Sequence, residues 1–489
     1  MKKYSRILLV PFLLSTLLFS CQNNKTKKDV ILDLYSLNDL HGRISENYDR
    51  NVPGISKIST FLKQEKVKNK DGFVFLNTGD IWQDTYESKD NFGHLLTECM
   101  EKMGCEAFVL GNHEFDWGVD NILENKKLTK NCTFLAANVY NYPNEDEFAS
   151  LGDPYKIIER EGVKIGIIGT IGSTQNTSIT SSIWENLSFK ETTKVVQNIS
   201  DELRTKKDCD VVIWGTHADY QNSDPEVITS ISPVSKKKYV DAVFNAHTHK
   251  VELFNYNDVP FVQAGAHGKS LGHIQLKVDK NRTVSLENYN TVGYKEMNYL
   301  PSDPAIDSII AKYQTKEFFD KKDEVVGTLT STKSIDDFYA GSLLAKATYD
   351  LYPEEMKDVD IVINNGARDN IRHGKQTRET IFNMNPFTNK TIVCKNIKGS
   401  DIINELRWNY YYKPDETLDF DYNSYYTVAC IDYILLHKNE NRRYNYFPSY
   451  NKNNVTHVID EHCDSIVCNY LLERKTIDLS EFQNSHFKY

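Results

Sequence analysis

The chain has 489 residues and a formal net charge of -10, which argues against a surface built to track a nucleic-acid backbone. Its 40% hydrophobic, 26% charged and 12% aromatic residues are an ordinary globular balance, enough for two to four domains that each bury a core. A small anionic substrate suits that charge only where metal ions or local arginines supply the positive charge.

Residues 1–21 read as a processing signal. Lys2, Lys3 and Arg6 form its basic start, and 7–19 is apolar but too short for a comfortable membrane span. Leu18-Phe19-Ser20-Cys21 resembles a bacterial lipobox, where cleavage before Cys21 leaves that thiol as the lipid anchor. Phe19 is bulkier than the usual small residue, and an ordinary signal peptide with an incidental cysteine is the competing reading. Residues 22–29 make a polar, lysine-rich tether. The expectation is an extracytoplasmic protein, on the periplasmic or cell-surface side, held to a bacterial membrane by lipid. Export permits disulfides among the eight remaining cysteines, whose pairing stays open. Cys463 and Cys468, with His457 and His462 near, suggest a zinc cluster, but the spacing is not CxxC and the region has the pattern of an amphipathic helix.

The first strand spans 30–37 and delivers Asn38-Asp39-Leu40-His41-Gly42-Arg43, with Asp39 and His41 expected on one side of an extended segment. A helix over 55–64 and a strand over 73–76 lead to Gly79-Asp80, where glycine lets Asp80 turn towards a pocket. A helix over 91–103 precedes the apolar run 107–110, which ends in Gly111-Asn112-His113-Glu114-Phe115-Asp116. A turn needs the glycine, but not a histidine between an amide and a carboxylate. Helices over 119–127 and 192–205 and strands over 133–138 and 163–170 follow. The run 211–214 ends at Thr216-His217, and 239–244 ends at His247-Thr248-His249. Strands over 261–264 and 272–278 close a layered α/β domain over 30–300. His94, His267 and His273 have structural contexts. A linker helix over 306–320 lies in a 301–323 connector. A second domain, 324–489, begins with 324–329 and carries helices at 336–350 and 400–410, strands at 359–363 and 425–431, and a terminal helix near 455–472.

Five strand ends thus carry ligands for borderline divalent ions such as Zn, Mn, Fe, Co or Ni. Open α/β sheets place their sites at such ends. Asp39, His41, Asp80, Asn112, His217, His247 and His249 are too many for one ion with an open position, and they suit two ions about 3.5–4 Å apart sharing a carboxylate. Such a pair binds a phosphoryl oxygen and lowers the pKa of a water for in-line attack. His113 is left over; with Glu114 and Asp116 following, it suits an imidazolium that stabilises developing charge or protonates a leaving oxygen.

These motifs resemble the calcineurin-like metallophosphoesterase superfamily, and within it the bacterial 5'-nucleotidase family, which includes UDP-sugar hydrolases and 2',3'-cyclic-nucleotide phosphodiesterases. The resemblance implies that Asp39, His41, Asp80 and His249 hold one metal and that Asp80, Asn112, His217 and His247 hold the other, Asp80 bridging. It makes His113 and Asp116 the catalytic dyad. It implies a four-layer α/β/β/α sandwich, a linker helix and a C-terminal α/β domain that supplies specificity. In that domain the resemblance extends to Asn364-Asn365-Gly366-Ala367-Arg368, with Asn364 and Arg368 as substrate-binding candidates, and to Asn385-Pro386-Phe387-Thr388-Asn389. A glycine-rich loop expected after 426–429 is absent; 436–447 stands in its place, with Tyr444, Tyr446 and Phe447 as stacking or packing residues. The resulting expectation is dimetal hydrolysis of a nucleotide 5'-phosphate. The alternatives are the same chemistry on cyclic nucleotides, nucleotide sugars or other phosphate esters, a thiosulfohydrolase, and a catalytically silent binding protein.

Overall fold

The computed structural model describes residues 28–478 apart from 145–146, 174, 181, 331–336, 366–367, 369–372 and 438–444, so the signal segment, Cys21 and Tyr444 lie outside the described residues. Two six-stranded sheets form the N-terminal part. The first runs in the order Val284–Gly293, Ser270–Val278, Val30–Leu37, Phe73–Asn77, Ala107–Val109, Thr133–Leu135; the second runs Val251–Tyr256, Val259–Ala264, Ala242–Phe244, Val211–His217, Val163–Ile171, Tyr155–Arg160. The central strands of each sheet are parallel. Period-2 alternation sends Leu32, Leu34, Val74 and Val109 to one face, where they meet Ile165, Ile213 and Phe244 of the other sheet. The opposite faces take helices: Ile58, Leu62, Leu96 and Met100 pack on Phe75 and Phe108, and Val196 and Leu203 of Thr192–Thr205 pack on Val212 and Trp214. The result is the four-layer α/β/β/α sandwich. Each buried large apolar side chain contributes about 1.5–3 kcal/mol.

The C-terminal part joins a five-stranded and a three-stranded sheet through one core. Helices Asp337–Leu351 and Cys463–Arg474 bring Leu343, Leu344, Ile466 and Leu471 against Val362 and Val428. All eight described cysteines are buried free thiols, so no disulfide exists among the described residues. Cys463 and Cys468 lie in that apolar core and join none of the metal-competent groups found among the described residues.

Several elements depart from expectation for identifiable reasons. The connector is two helices, Pro304–Tyr313 and Lys316–Lys322, because Thr315 accepts a hydrogen bond from the Phe318 N–H and starts a new one. The helix over 400–410 stops at Glu405. Beyond it Tyr410–Tyr412 pairs as a strand with Ile361–Asn364. The terminal helix begins only at Cys463; Val455–Ile459 is a β-branched strand on Thr391–Lys398. The helix over 91–103 begins at His94, because Phe92 and Gly93 take left-handed backbone. Strands Tyr155–Arg160, Val251–Tyr256 and Val284–Gly293 carry no marked apolar run because they form sheet edges.

Candidate metal centre

The five strand ends meet at one rim of the sandwich, where the loops at Asp39 and Gly79 run side by side. Asp39 N–H donates to Gly79 O (3.0 Å), His41 N–H to Asp80 O (3.0 Å) and Gly42 N–H to Ile81 O (2.9 Å). This pairing replaces the extended segment expected there: Asp39 and His41 have φ of 47° and 52°. Asp80 (52°), His247 (80°) and His249 (59°) are left-handed too. Such backbone costs roughly 1–2 kcal/mol per residue, and its concentration at one rim marks strain held for function. Gly79 has φ 91°, and a Cβ there would lie 2.6 Å from the Gly111 nitrogen, so only glycine lets the loops close.

Two groups of side chains face each other across Asp80. In one, His41 Nε2 lies 3.0 Å from His249 Nε2, and Asp39 Oδ1 lies 3.6 Å from His249 Nε2. In the other, His217 Nε2 is 3.0 Å from Asp80 Oδ2 and 3.2 Å from Asn112 Oδ1, which is 3.1 Å from His247 Nδ1. Asp80 Oδ2 stands 3.8 Å from His41 Nε2. Candidate ligand atoms of Asp39, His41 and His249, of Asp80, His217 and His247, and of His41, Asp80 and His113 all fall within 4.8 Å within each group. Two nitrogens each ~2.1 Å from one ion sit roughly 3–3.4 Å apart, as those of His41 and His249 do. His217 Nδ1 is 2.8 Å from Thr78 O, which assigns its proton there and leaves Nε2 aimed at two acceptor oxygens. A proton or a cation is needed between them. Burial holds His41 well below its ordinary range and His247 down to about 4, keeping both lone pairs available. Burial pushes the Asp39 carboxyl up; burial acts the same way on Asp80, but His217 and His113 hold it well below the usual range. The donor set fits divalent cations.

Glu114 shapes this loop without facing the ions. Its buried carboxylate accepts from the backbone N–H groups of Asp80 (2.8 Å), Ile81 (2.8 Å), Trp82 (3.3 Å) and Gly111 (2.7 Å). His113 Nδ1 lies 2.7 Å from Asp116 Oδ2, which also accepts from Gln83 Nε2 (2.8 Å). Burial lowers the imidazolium's stability, but Asp116 and Asp80 outweigh it and lift the His113 pKa to about 10. Its Nε2 is 3.1 Å from Arg368 Nη2. A guanidinium only donates, so this contact favours a lone pair on Nε2 and opposes the imidazolium that Asp116 and Asp80 favour; an anion that draws Arg368 away relieves that opposition.

Between the sandwich and the C-terminal part lies a cleft of about 290 Å³, lined by Asp80, Asn112, His113, Asp116, His247 and His249 on one wall and by Asn365, Arg368, Phe387, Asn389 and Tyr433 on the other. Phe387 stacks on His113 (centroids 6.2 Å) and lies 5.1 Å under the Arg368 guanidinium. Asn364 is buried at 1% exposure, and its neighbour Asn365 lines the cleft instead. Phe447 packs in the C-terminal core, and Tyr446 stacks on His437 at 4.1 Å. His273 is structural, 2.9 Å from Asp33. His267, expected to be structural, stands 5.6 Å from His249 and 5.8 Å from His41, ring to ring. Gln83 and Tyr433 escaped the sequence reading, since neither has a ligand type in a strand-end motif; Glu114, read there beside His113, serves backbone amides instead.

Residues 34–251 match the calcineurin-like phosphoesterase family model. That span covers most of the sandwich and all the strand ends that carry the ligand groups. The chain is 24% identical over 413 residues to the endonuclease YhcR of Bacillus subtilis, covering 77% of this chain and 32% of that protein. It is 27% identical over 315 residues to 5'-nucleotidase of Bos taurus, covering 58% of this chain and 53% of that one. The chain thus spans about half or less of the length of these two curated relatives. The crystal structure of a 5'-nucleotidase precursor from Thermus thermophilus superposes with a TM-score of 0.69 at 17% identity, over 91% of this chain and 97% of that one, and so shares the whole architecture.

Proposed function

We propose that this phosphoesterase hydrolyses the phosphate ester of a nucleotide, 5'-nucleotidase-like, at two divalent cations. The observation that carries the reading is the place of Asp80 in two candidate ligand groups, with His217 and His247 and with His41 and His113, in one cleft with Asp116 and Arg368. Asp39, His41, Asp80 and His249 would hold one cation, and Asp80, Asn112, His217 and His247 the other. Bound there, the cations supply Lewis acidity to phosphoryl oxygens and lower the pKa of an attacking water. Arg368 grips the phosphate, since guanidinium suits bidentate contact with its oxygens. That grip takes Arg368 off His113 Nε2, which then holds a proton for the leaving oxygen. Asp116 keeps the imidazole oriented through Nδ1, and Gln83 keeps Asp116 in place. Phe387 and Tyr433 offer apolar faces to the organic part of the ester. The N-terminal signal and Cys21 support an extracytoplasmic, lipid-anchored enzyme; no helix among the described residues is long and apolar enough to cross a membrane.

A second reading keeps the chemistry and changes the ester to a cyclic nucleotide, a nucleotide sugar or a non-nucleotide phosphate. For the smaller esters it is favoured by the cleft's 290 Å³, just below the roughly 300–1,000 Å³ of ligand pockets, and by Phe447 being core rather than wall; that volume weighs against a nucleotide sugar. Phosphate release from AMP, 3'-AMP, 2',3'-cyclic AMP, UDP-glucose and ribose 5-phosphate, with Mn added and a chelator control, separates the two. Preference for AMP over ribose 5-phosphate supports nucleoside recognition, and equal rates support the generalist. No release from any substrate overturns both.

A further inference from the structure

Asp84 carries an arrangement that neither the ligand set nor the dyad uses. Its backbone has φ 97°, in the region where only glycine is at ease. Its carboxylate is 12% exposed, yet among the described residues Oδ1 has no hydrogen-bond partner. Oδ2 lies 3.7 Å from His41 Nδ1, itself buried and without a hydrogen-bond partner among the described residues, and Oδ1 lies 3.9 Å from Arg368 Nε. A strained backbone and an under-partnered buried carboxylate both weigh against an aspartate in this loop. Neither is offset by the loop's own packing, where the Asp84 N–H is satisfied by Gln83 Oε1 (3.1 Å).

The two neighbours say what the carboxylate is for. His41 turns Nε2 towards His249 and Asp80, so a cation bound there places the remaining proton on Nδ1. A ligating histidine normally donates that proton to an acceptor that fixes its ring. We propose that Asp84 is a positioning residue: it orients the metal ligand His41 through Nδ1 and, through its other oxygen, holds Arg368 at the lip of the phosphate site. The present 3.7 Å is an ion-pair distance, and a cation on Nε2 fixes the Nδ1 proton that draws the carboxylate into hydrogen-bond range. Arg368 then stays over Phe387, ready for an incoming anion. One side chain so couples metal occupancy to phosphate grip. This inference rests on the metal-centre reading above.

The test uses the full chain with Mn as the probe. Asp84→Asn should weaken binding of one of two Mn ions by roughly 10-fold or more. Asp84→Gly should weaken it similarly while raising the melting temperature of the metal-free protein by about 1–4 °C, because glycine adopts φ 97° freely. A residue with a merely structural role would lose stability and metal together. Asp84→Asn should also raise KM for AMP or another ester the parent cleaves, and that rise should vanish in an Arg368→Ala background while the loss of Mn persists. A parent that binds two Mn ions and variants that bind both equally well overturn this proposal alone. A parent that binds no Mn overturns the metal-centre reading with it.

Discussion

The two walls of the cleft are built on opposite plans. On the sandwich wall Asp39, His41, Asp80, Asn112 and His217 are 0–1% exposed, and backbone amides, Glu114 and left-handed turns hold them from several directions. On the C-terminal wall the Arg368 side chain is 39% exposed and rests on a 3.1 Å contact with His113, a 3.9 Å ion pair with Asp84 and a ring. The rigid wall is preorganised for charge that develops in the reaction, where fixed groups in a dry site act most strongly. The looser wall can shift with the ester it meets, as loop-borne binding residues do. Reaction type therefore belongs to one wall and substrate choice to the other.

That division breaks most visibly at Asp80. Asp80→Asn should lower turnover on the order of 10³-fold or more, since several kcal/mol of metal-borne charge stabilisation depend on the shared carboxylate. Metal content should fall from two ions per chain. Unchanged turnover with full metal would end the shared-ligand model. His113→Ala should cost roughly 10²–10⁴-fold in turnover while both metals stay bound, because proton transfer is lost and the ligand shell is not. Loss of metal in that variant would make His113 a ligand, as its place within 4.8 Å of His41 and Asp80 would allow.

The same division governs what could be read from the residues alone. Ligands of the rigid wall sit in contiguous motifs at strand ends, and Val30–Leu37 and Val211–His217 carry their apolar pattern into those motifs without a break. The conformation of the ligands was not legible: Asp39 and His41 looked like an extended pair, and only the pairing with the Gly79 loop turns them left-handed. The backbone role of Glu114 and the place of Gln83 were not legible, because their work is done on backbone amides and on Asp116, contacts that no spacing encodes. On the looser wall, Asn364 was expected to bind and Asn365 lines the cleft instead: a one-residue step from strand to loop decides which side chain reaches it. Phe447 is as suited to stacking as to packing on its residue type, and burial in the C-terminal core decides for packing.

Arg368→Ala sharpens the comparison from the other wall. Its exposure discounts the contact, so KM should rise by roughly 10-fold with kcat changed little. The measurement is a substrate titration with AMP and ribose 5-phosphate. Equal rises for both would place Arg368 on the phosphate they share, whereas an unmoved KM would remove it from the site.

The smallest expected change in turnover, and the one read as stability, concerns how the walls are joined. Asp432 is buried behind the cleft, accepting from Asn389 Nδ2 (3.2 Å) and the Lys390 N–H (3.3 Å), with Ser182 Oγ of the sandwich at 3.5 Å. Burial lifts its carboxyl from 3.8 to about 6 in spite of those donors. Between these values the folded chain keeps a proton that the unfolded chain has lost. Stability should therefore fall as pH rises from about 4 to about 6 and level off above. Asp432→Asn has no such charge, so its stability relative to the parent should rise through the same window, to roughly 2–3 kcal/mol at pH 7, while the buried carboxyls common to both proteins cancel in the difference. Denaturant titrations of both proteins at pH 4, 5, 6 and 7 measure this. Parallel profiles would mean that Asp432 stays ionised and satisfied, and that the join between the walls is as well compensated as the metal rim. A diverging pair would show that the looser wall meets the sandwich through a polar contact held at a cost, which leaves it free to move while the rim stays fixed.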